Sequence, residues 1–143
     1  MITAVQDSIS SEIDYLGGDS DACAQVIPGR RAVLMAWYVS MEVNNGGFDQ
    51  YFLNSTGDTA RFAPDSHRLL GDLDVASLLE RANRAFLNGP PADRDQRLSE
   101  MEQLGETAHA LWNKLDDEYF KLSQNTQYQF AYIKAHPDEF FQK

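Results

Sequence analysis

Cysteine is almost absent from this chain of 143 residues: Cys23 stands alone. No intrachain disulfide can form, and a reducing compartment is the simpler expectation. Long apolar runs are missing as well. The longest, Ala32 to Val39, falls well short of the roughly 20 residues that cross a bilayer. The first residues, Met1-Ile2-Thr3-Ala4-Val5-Gln6-Asp7, carry no basic n-region, which argues against secretion, and no basic amphipathic face is present to lie on a membrane. A cytoplasmic, membrane-free protein is therefore expected. There is no internal repeat, no low-complexity tract and no convincing strand alternation.

Positive charge is scarce too, with 12 Lys and Arg against 22 Asp and Glu for a net charge of -10. Such a balance argues against direct contact with nucleic-acid phosphates and leaves a basic protein partner open, although acidity also serves solubility alone. The scarcity is uneven. No basic residue precedes Arg30, whereas Asp7, Glu12, Asp14, Asp19 and Asp21 are all acidic, so half of the net charge lies before residue 30. Arg30 and Arg31 then open a helix whose dipole disfavours cations, which calls for a nearby acid such as Asp19 or Asp21.

The residue types that carry catalysis are also thin. His67, His109 and His136 are scattered, and Cys23 has no Cys-x-x-Cys partner. The Gly46, Gly47 pair has neither the lysine nor the preceding strand of a phosphate loop. Glu106 and His109 form a single Glu-x-x-His, whereas helical di-metal sites need several ligating helices, so a solvated pair is the better reading and no metal or cofactor is expected. Glu42 follows the apolar run and should be buried, hence paired, multiply hydrogen-bonded or protonated; a structural role at a corner outweighs a catalytic one. The chain is read as non-enzymatic.

What is present is an all-α pattern. At 143 residues with 43% hydrophobic content, one domain spanning 1–143 is expected: a bundle of six to eight helices around a buried central helix at about 29–45. An acidic N-terminal helix should cover 3–16, closed by Gly17 and Gly18, with Val5, Ile9, Ile13 and Leu16 inward. Helices are also expected at 67–73, at 75–87 with Asp74 as its cap, over the long stretch 95–124 with a possible bend at Gly105 or at Asp116 and Asp117, and at 126–135. A terminal turn after Pro137 carries Phe140 and Phe141.

The densest signal lies between Glu42 and Gly57. Asn44, Asn45, Gly46 and Gly47 suit a sharp turn out of the central helix, with glycine backbone freedom and amides that can meet loose backbone groups. Phe48, Tyr51 and Phe52 then fall on one side of a short helix that can fold back, with Asp49 and Gln50 turned away, and Asn54, Ser55 and Gly57 end it. The cheaper reading of this motif is a corner, rather than a ligand site.

The run Val43, Asn44, Asn45, Gly46, Gly47, Phe48, Gln50, Tyr51, Phe52, Asn54, Ser55 and Gly57 resembles bacterial DNA-mimic proteins and the related all-helical domains of unknown function. Weaker echoes at Leu115 to Phe120, Tyr132, Ile133 and Phe140 extend the resemblance over most of the chain from about Arg30. It implies an all-α homodimer and, for characterised members, an acidic surface that occupies the DNA-binding face of another protein, as in transcription regulation.

Imitating DNA requires carboxylates arrayed like phosphates with few cations between them. The candidates are Asp7, Glu12, Asp14, Asp19 and Asp21, together with Glu100, Glu102, Glu106, Asp116, Asp117 and Glu118 on the long helix. Glu102, Glu106, Asn113 and Asp117 should share one outward stripe, while Arg94, Arg97 and Lys114 interrupt this second set. The rival reading is an immunity-type or regulatory protein with a mainly apolar interface using Phe140 and Phe141; an enzyme using Glu42 or Glu106 and His109 ranks last.

Overall fold

A computed structural model describes residues 2–15, 19–122 and 127–141. The expected stop at Leu16, Gly17 and Gly18 lies outside them. The described residues form α1 (Ile2–Tyr15), α2 (Ser20–Gln25), α3 (Pro28–Leu53), a 3-10 segment (Ser55–Phe62), α4 (Ala63–Leu70), α5 (Leu73–Asn83), α6 (Arg94–Lys121), α7 (Gln127–Ala135) and α8 (Pro137–Phe140). No strand occurs among them. The all-α expectation is met.

α3 is the spine. Its first half, Ala32 to Ala36, packs with Val5 and Ile9 of α1, Cys23, Ile133 and Phe140. Its second half, from Val39 and Val43 to Phe52, packs with α5 and α6 through Leu78, Leu79, Trp112 and Leu115. Tyr38 touches both clusters. A helix buried on nearly all sides needs this kind of double cover.

The expected corner appears as a kink inside α3. Gly46 is at φ -153, ψ 15 and Gly47 at φ 76, ψ -173, so only the second glycine occupies positive φ, in a region that side-chain-bearing residues avoid. Beyond the kink the aromatic ridge is fully inside. Phe52 meets Phe86 at 5.1 Å and Trp112 at 4.9 Å between ring centroids, and the Trp112 indole N–H reaches the Ala82 carbonyl at 3.1 Å.

Several expectations need correction. The central helix runs on through the kink to Leu53 and is followed by the 3-10 segment. Asp72, not Asp74, caps α5, accepting from the Val75 N–H at 3.4 Å. α5 ends at Asn83, leaving Leu87 92% exposed, although Leu78, Leu79, Ala82 and Phe86 are buried as the spacing requires. α6 does break at Gly105, at φ 60, ψ -145. Glu102, Glu106, Asn113 and Asp117 are all exposed, but this break interrupts their common helical register. Phe140 is core and only Phe141 is exposed, because α8 turns the former onto α3 and α7.

The arginines depart furthest from expectation. Glu12, rather than Asp19 or Asp21, meets Arg30 at 2.8 Å, and Arg31 binds the last carbonyls around α2, among them Ala24 O at 3.2 Å. Arg97 does not interrupt any surface: it is 0% exposed. Its guanidinium donates to the carbonyls of Phe52 at 2.6 Å, Asn54 at 2.9 Å and Pro91 at 2.9 Å, and meets Asp58 at 2.9 Å. It thus anchors the end of α3, the 3-10 segment and the loop before α6 with a rigid fork of donors.

A Cβ at Gly47 would fall on the Asp116 carboxylate, whereas nothing stands near Gly105. Both positions penalise a side chain through the backbone, by about 1–3 kcal/mol. Gly47→Ala should therefore melt several degrees below Gly105→Ala; equal melting temperatures in thermal scans would show that the contact with Asp116 contributes nothing.

Candidate functional site

The corner is the centre of the chemistry on this molecule. Turning out of α3 at Gly46 and Gly47 frees the N–H of Phe48, and Asp116 of α6 accepts it through Oδ1 at 2.8 Å. On the other side of the turn, the buried Glu42 accepts through Oε2 from the Gln50 amide at 2.7 Å and the Asn54 amide at 3.0 Å. Asn45 donates to the Gln50 Oε1 at 3.3 Å. Three amides and one carboxylate thus span the corner, and of the three states foreseen for Glu42 the multiply hydrogen-bonded one is observed. Asn44 instead reaches back to the Ser40 carbonyl at 2.8 Å.

Asp116 does not act alone. Burial raises its pKa above the ordinary carboxylate value, the bond from Phe48 lowers it, and the nearby Asp49 and Asp117 raise it again. Asp49 holds the His109 Nδ1 at 2.5 Å, so His109 faces a carboxylate of α3 rather than Glu106. No group of three His, Cys, Asp or Glu among the described residues is placed to hold a metal ion. His67 is buried with Nδ1 at 2.8 Å from the Ala63 carbonyl, and burial pushes its pKa down to about 4, leaving it neutral near pH 7. The Cys23 thiol is pushed up to about 11 by burial, which leaves it protonated and inert.

The eleven acids singled out from the sequence separate into distinct groups. Glu12, Asp21 and Glu118 have cationic neighbours: Arg30, Arg61 at a loose 3.8 Å, and Arg81 at 3.1 Å. Arg81, Lys114 and Lys121 all favour the ionised Glu118. Asp19 caps α2 through the Ala22 N–H at 2.8 Å, and Asp116 caps the corner. Asp7, Asp14, Glu102, Glu106 and Asp117 are exposed, and the half-buried Glu100 joins them in having no basic partner among the described residues. Sequence reading missed Asp49, whose only signal was its place one residue beyond Phe48.

A family model described as DMP19-like protein matches residues 24–136. The chain belongs to the DMP19-like protein family. No curated protein and no solved structure matches it significantly. The match begins after α1 and Asp19, so the acidic N-terminal helix stands outside the part that defines this DMP19-like chain, whereas the corner and the whole of α6 stand inside it. No helix among the described residues is long and apolar enough to cross a membrane.

The raised pKa of Asp116 has a definite sign. Between the ordinary value of 3.8 and the raised one, the folded state keeps a proton that the unfolded state has lost, so stability falls as pH rises through that window and the cost persists above it. Asp116→Asn keeps an oxygen acceptor for Phe48 and removes the charge; it should melt at or above the parent at pH 7. Asp116→Ala loses the cap and should cost about 1 kcal/mol. Equal losses for both in thermal melts would contradict a neutral cap.

Proposed function

We propose that this chain is a non-catalytic, cytoplasmic protein that binds a basic nucleic-acid-binding protein, such as a transcription factor, by presenting carboxylates where the partner expects phosphates. The observation that carries the reading is the distribution of charge on α6 and the corner: Asp49, Asp116 and Asp117 stand close enough to disfavour one another's ionisation, and Glu102, Glu106 and Asp117 face solvent without cations. Membership of the DMP19-like family supports it. So does the withdrawal of cations from the surface, since Arg97 is wholly interior and Arg30 nearly so.

Exposed apolar side chains favour a second interface. Leu73, Phe120 and Tyr128 are exposed, and the Tyr128 ring comes within 3.9 Å of where a Cβ on Gly71 would stand, two residues before Leu73. An immunity-type or regulatory contact would use such a surface, and so would the homodimer that the resemblance to DNA mimics implies. The two roles are compatible, with one face pairing two copies and the other displaying charge.

The test is competition. Proteins captured from the native host by the immobilised chain should be released by duplex DNA, and their affinity should fall on the order of a hundredfold or more between about 50 and 200 mM salt. Neutralising Glu102, Glu106 and Asp117 together should weaken capture, whereas Glu118→Gln, already offset by Arg81, should change it little. A partner that stays bound in excess DNA with a flat salt response would leave the apolar interface as the function.

A further inference from the structure

α1, the start of α2, α3 and the 3-10 segment meet around a recess of about 170 Å³. Asp14, Asp19 and Asp58 line it, with no lysine, arginine or histidine among the lining residues. Ser20, Thr56 and Tyr38 also line it. The hydroxyls of Ser20 and Thr56 are buried without a hydrogen-bond partner, although Ser20 is only 8% exposed. Buried polar groups are nearly always satisfied, so two unmet hydroxyls on one recess point to something that completes them.

The chemistry narrows what that is. Carboxylates and hydroxyl oxygens accept, so the occupant must donate, and it must be positive. A metal ion does not suit, because no three carboxylates among the described residues come together to hold one. A guanidinium does, since its planar fork spreads five N–H donors over separate acceptors and packs well on an aromatic face such as Tyr38. The recess would hold only a handful of waters at about 30 Å³ each, which is room for a side-chain head rather than a larger ligand. Asp58 is tied to Arg97 and Asp19 to the Ala22 N–H, leaving Asp14 as the carboxylate without a bonded partner.

We propose that this recess is a socket for an arginine side chain of the protein partner, with Asp14 supplying the countercharge and Ser20 and Thr56 the acceptors. It rests on the reading above that the partner is basic, and it adds a fixed anchoring point to what would otherwise be a diffuse field.

Deca-arginine and deca-lysine peptides, titrated by calorimetry at low salt into the full chain and into an Asp14→Asn, Ser20→Ala double variant, separate the two ideas. The arginine peptide should bind roughly tenfold more tightly than the lysine peptide, and the double variant should abolish that preference. Argininamide should shift the Ser20 and Thr56 amide resonances of the parent and not those of the variant. An arginine preference that survives the substitutions, or none in the parent, overturns the socket while lysine-peptide binding keeps the acidic face intact. If neither peptide binds, the basic-partner reading fails; argininamide shifts confined to the recess would then still support a guanidinium site, and their absence would remove it. Ser20→Ala alone should melt no lower than the parent, and Asp14→Asn alone repeats the comparison if the pair folds poorly.

Discussion

Everything in this fold turns on how the break in its longest buried helix is closed. Two glycines let the chain leave the axis of α3, and the amide this frees must be met inside a packed interior. Asp116 meets it from a helix 68 residues further on. The same bond therefore terminates one helix segment, starts another and sets α6 against α3. With that register in place, Phe52, Phe86 and Trp112 interlock, and Glu42 can be held by the Gln50 and Asn54 amides across the turn. A like-charged neighbourhood around Asp116 is a cost that the corner carries, because Asp49 and Asp117 both oppose its ionisation.

Charge in this molecule is organised by where the cations go. Arg97 is taken inside to bind carbonyls at the end of α3, Arg31 serves the end of α2, and Arg81 sits on Glu118. Each removes a positive group from the outer face or neutralises a particular acid. What remains outside is more negative than an even mixture of the same residues would be, and long-range attraction of a basic surface depends on that imbalance. The carboxylates thus differ in kind: Asp116 and Asp19 hold backbone amides, Glu12 and Glu118 answer arginines, and Asp7, Glu102, Glu106 and Asp117 face solvent unpaired.

Helical periodicity made most of the scaffold readable. The steps of three and four from Leu98 to Tyr119 identify the inward face of α6, and the break at Gly105 was visible as a glycine inside that pattern. Element ends were less legible, since the first turn of α5 contains Asp72 and Asp74 with equal claims as caps and only geometry selects the former. Arg97 was misread because a charged residue on a helix is normally solvated, and its burial depends on carbonyls more than 40 residues away in sequence.

Local residue chemistry alone determined that the chain is helical, that its central helix is buried, and that it turns at Gly46 and Gly47, because side-chain period, apolar runs and glycine backbone freedom act over a few residues. Tertiary structure alone decided which acids are structural and which are free, which arginines leave the surface, and that Asp14, Ser20 and Thr56 share one recess. Those outcomes depend on distances between segments far apart in the chain, and no local pattern encodes such distances.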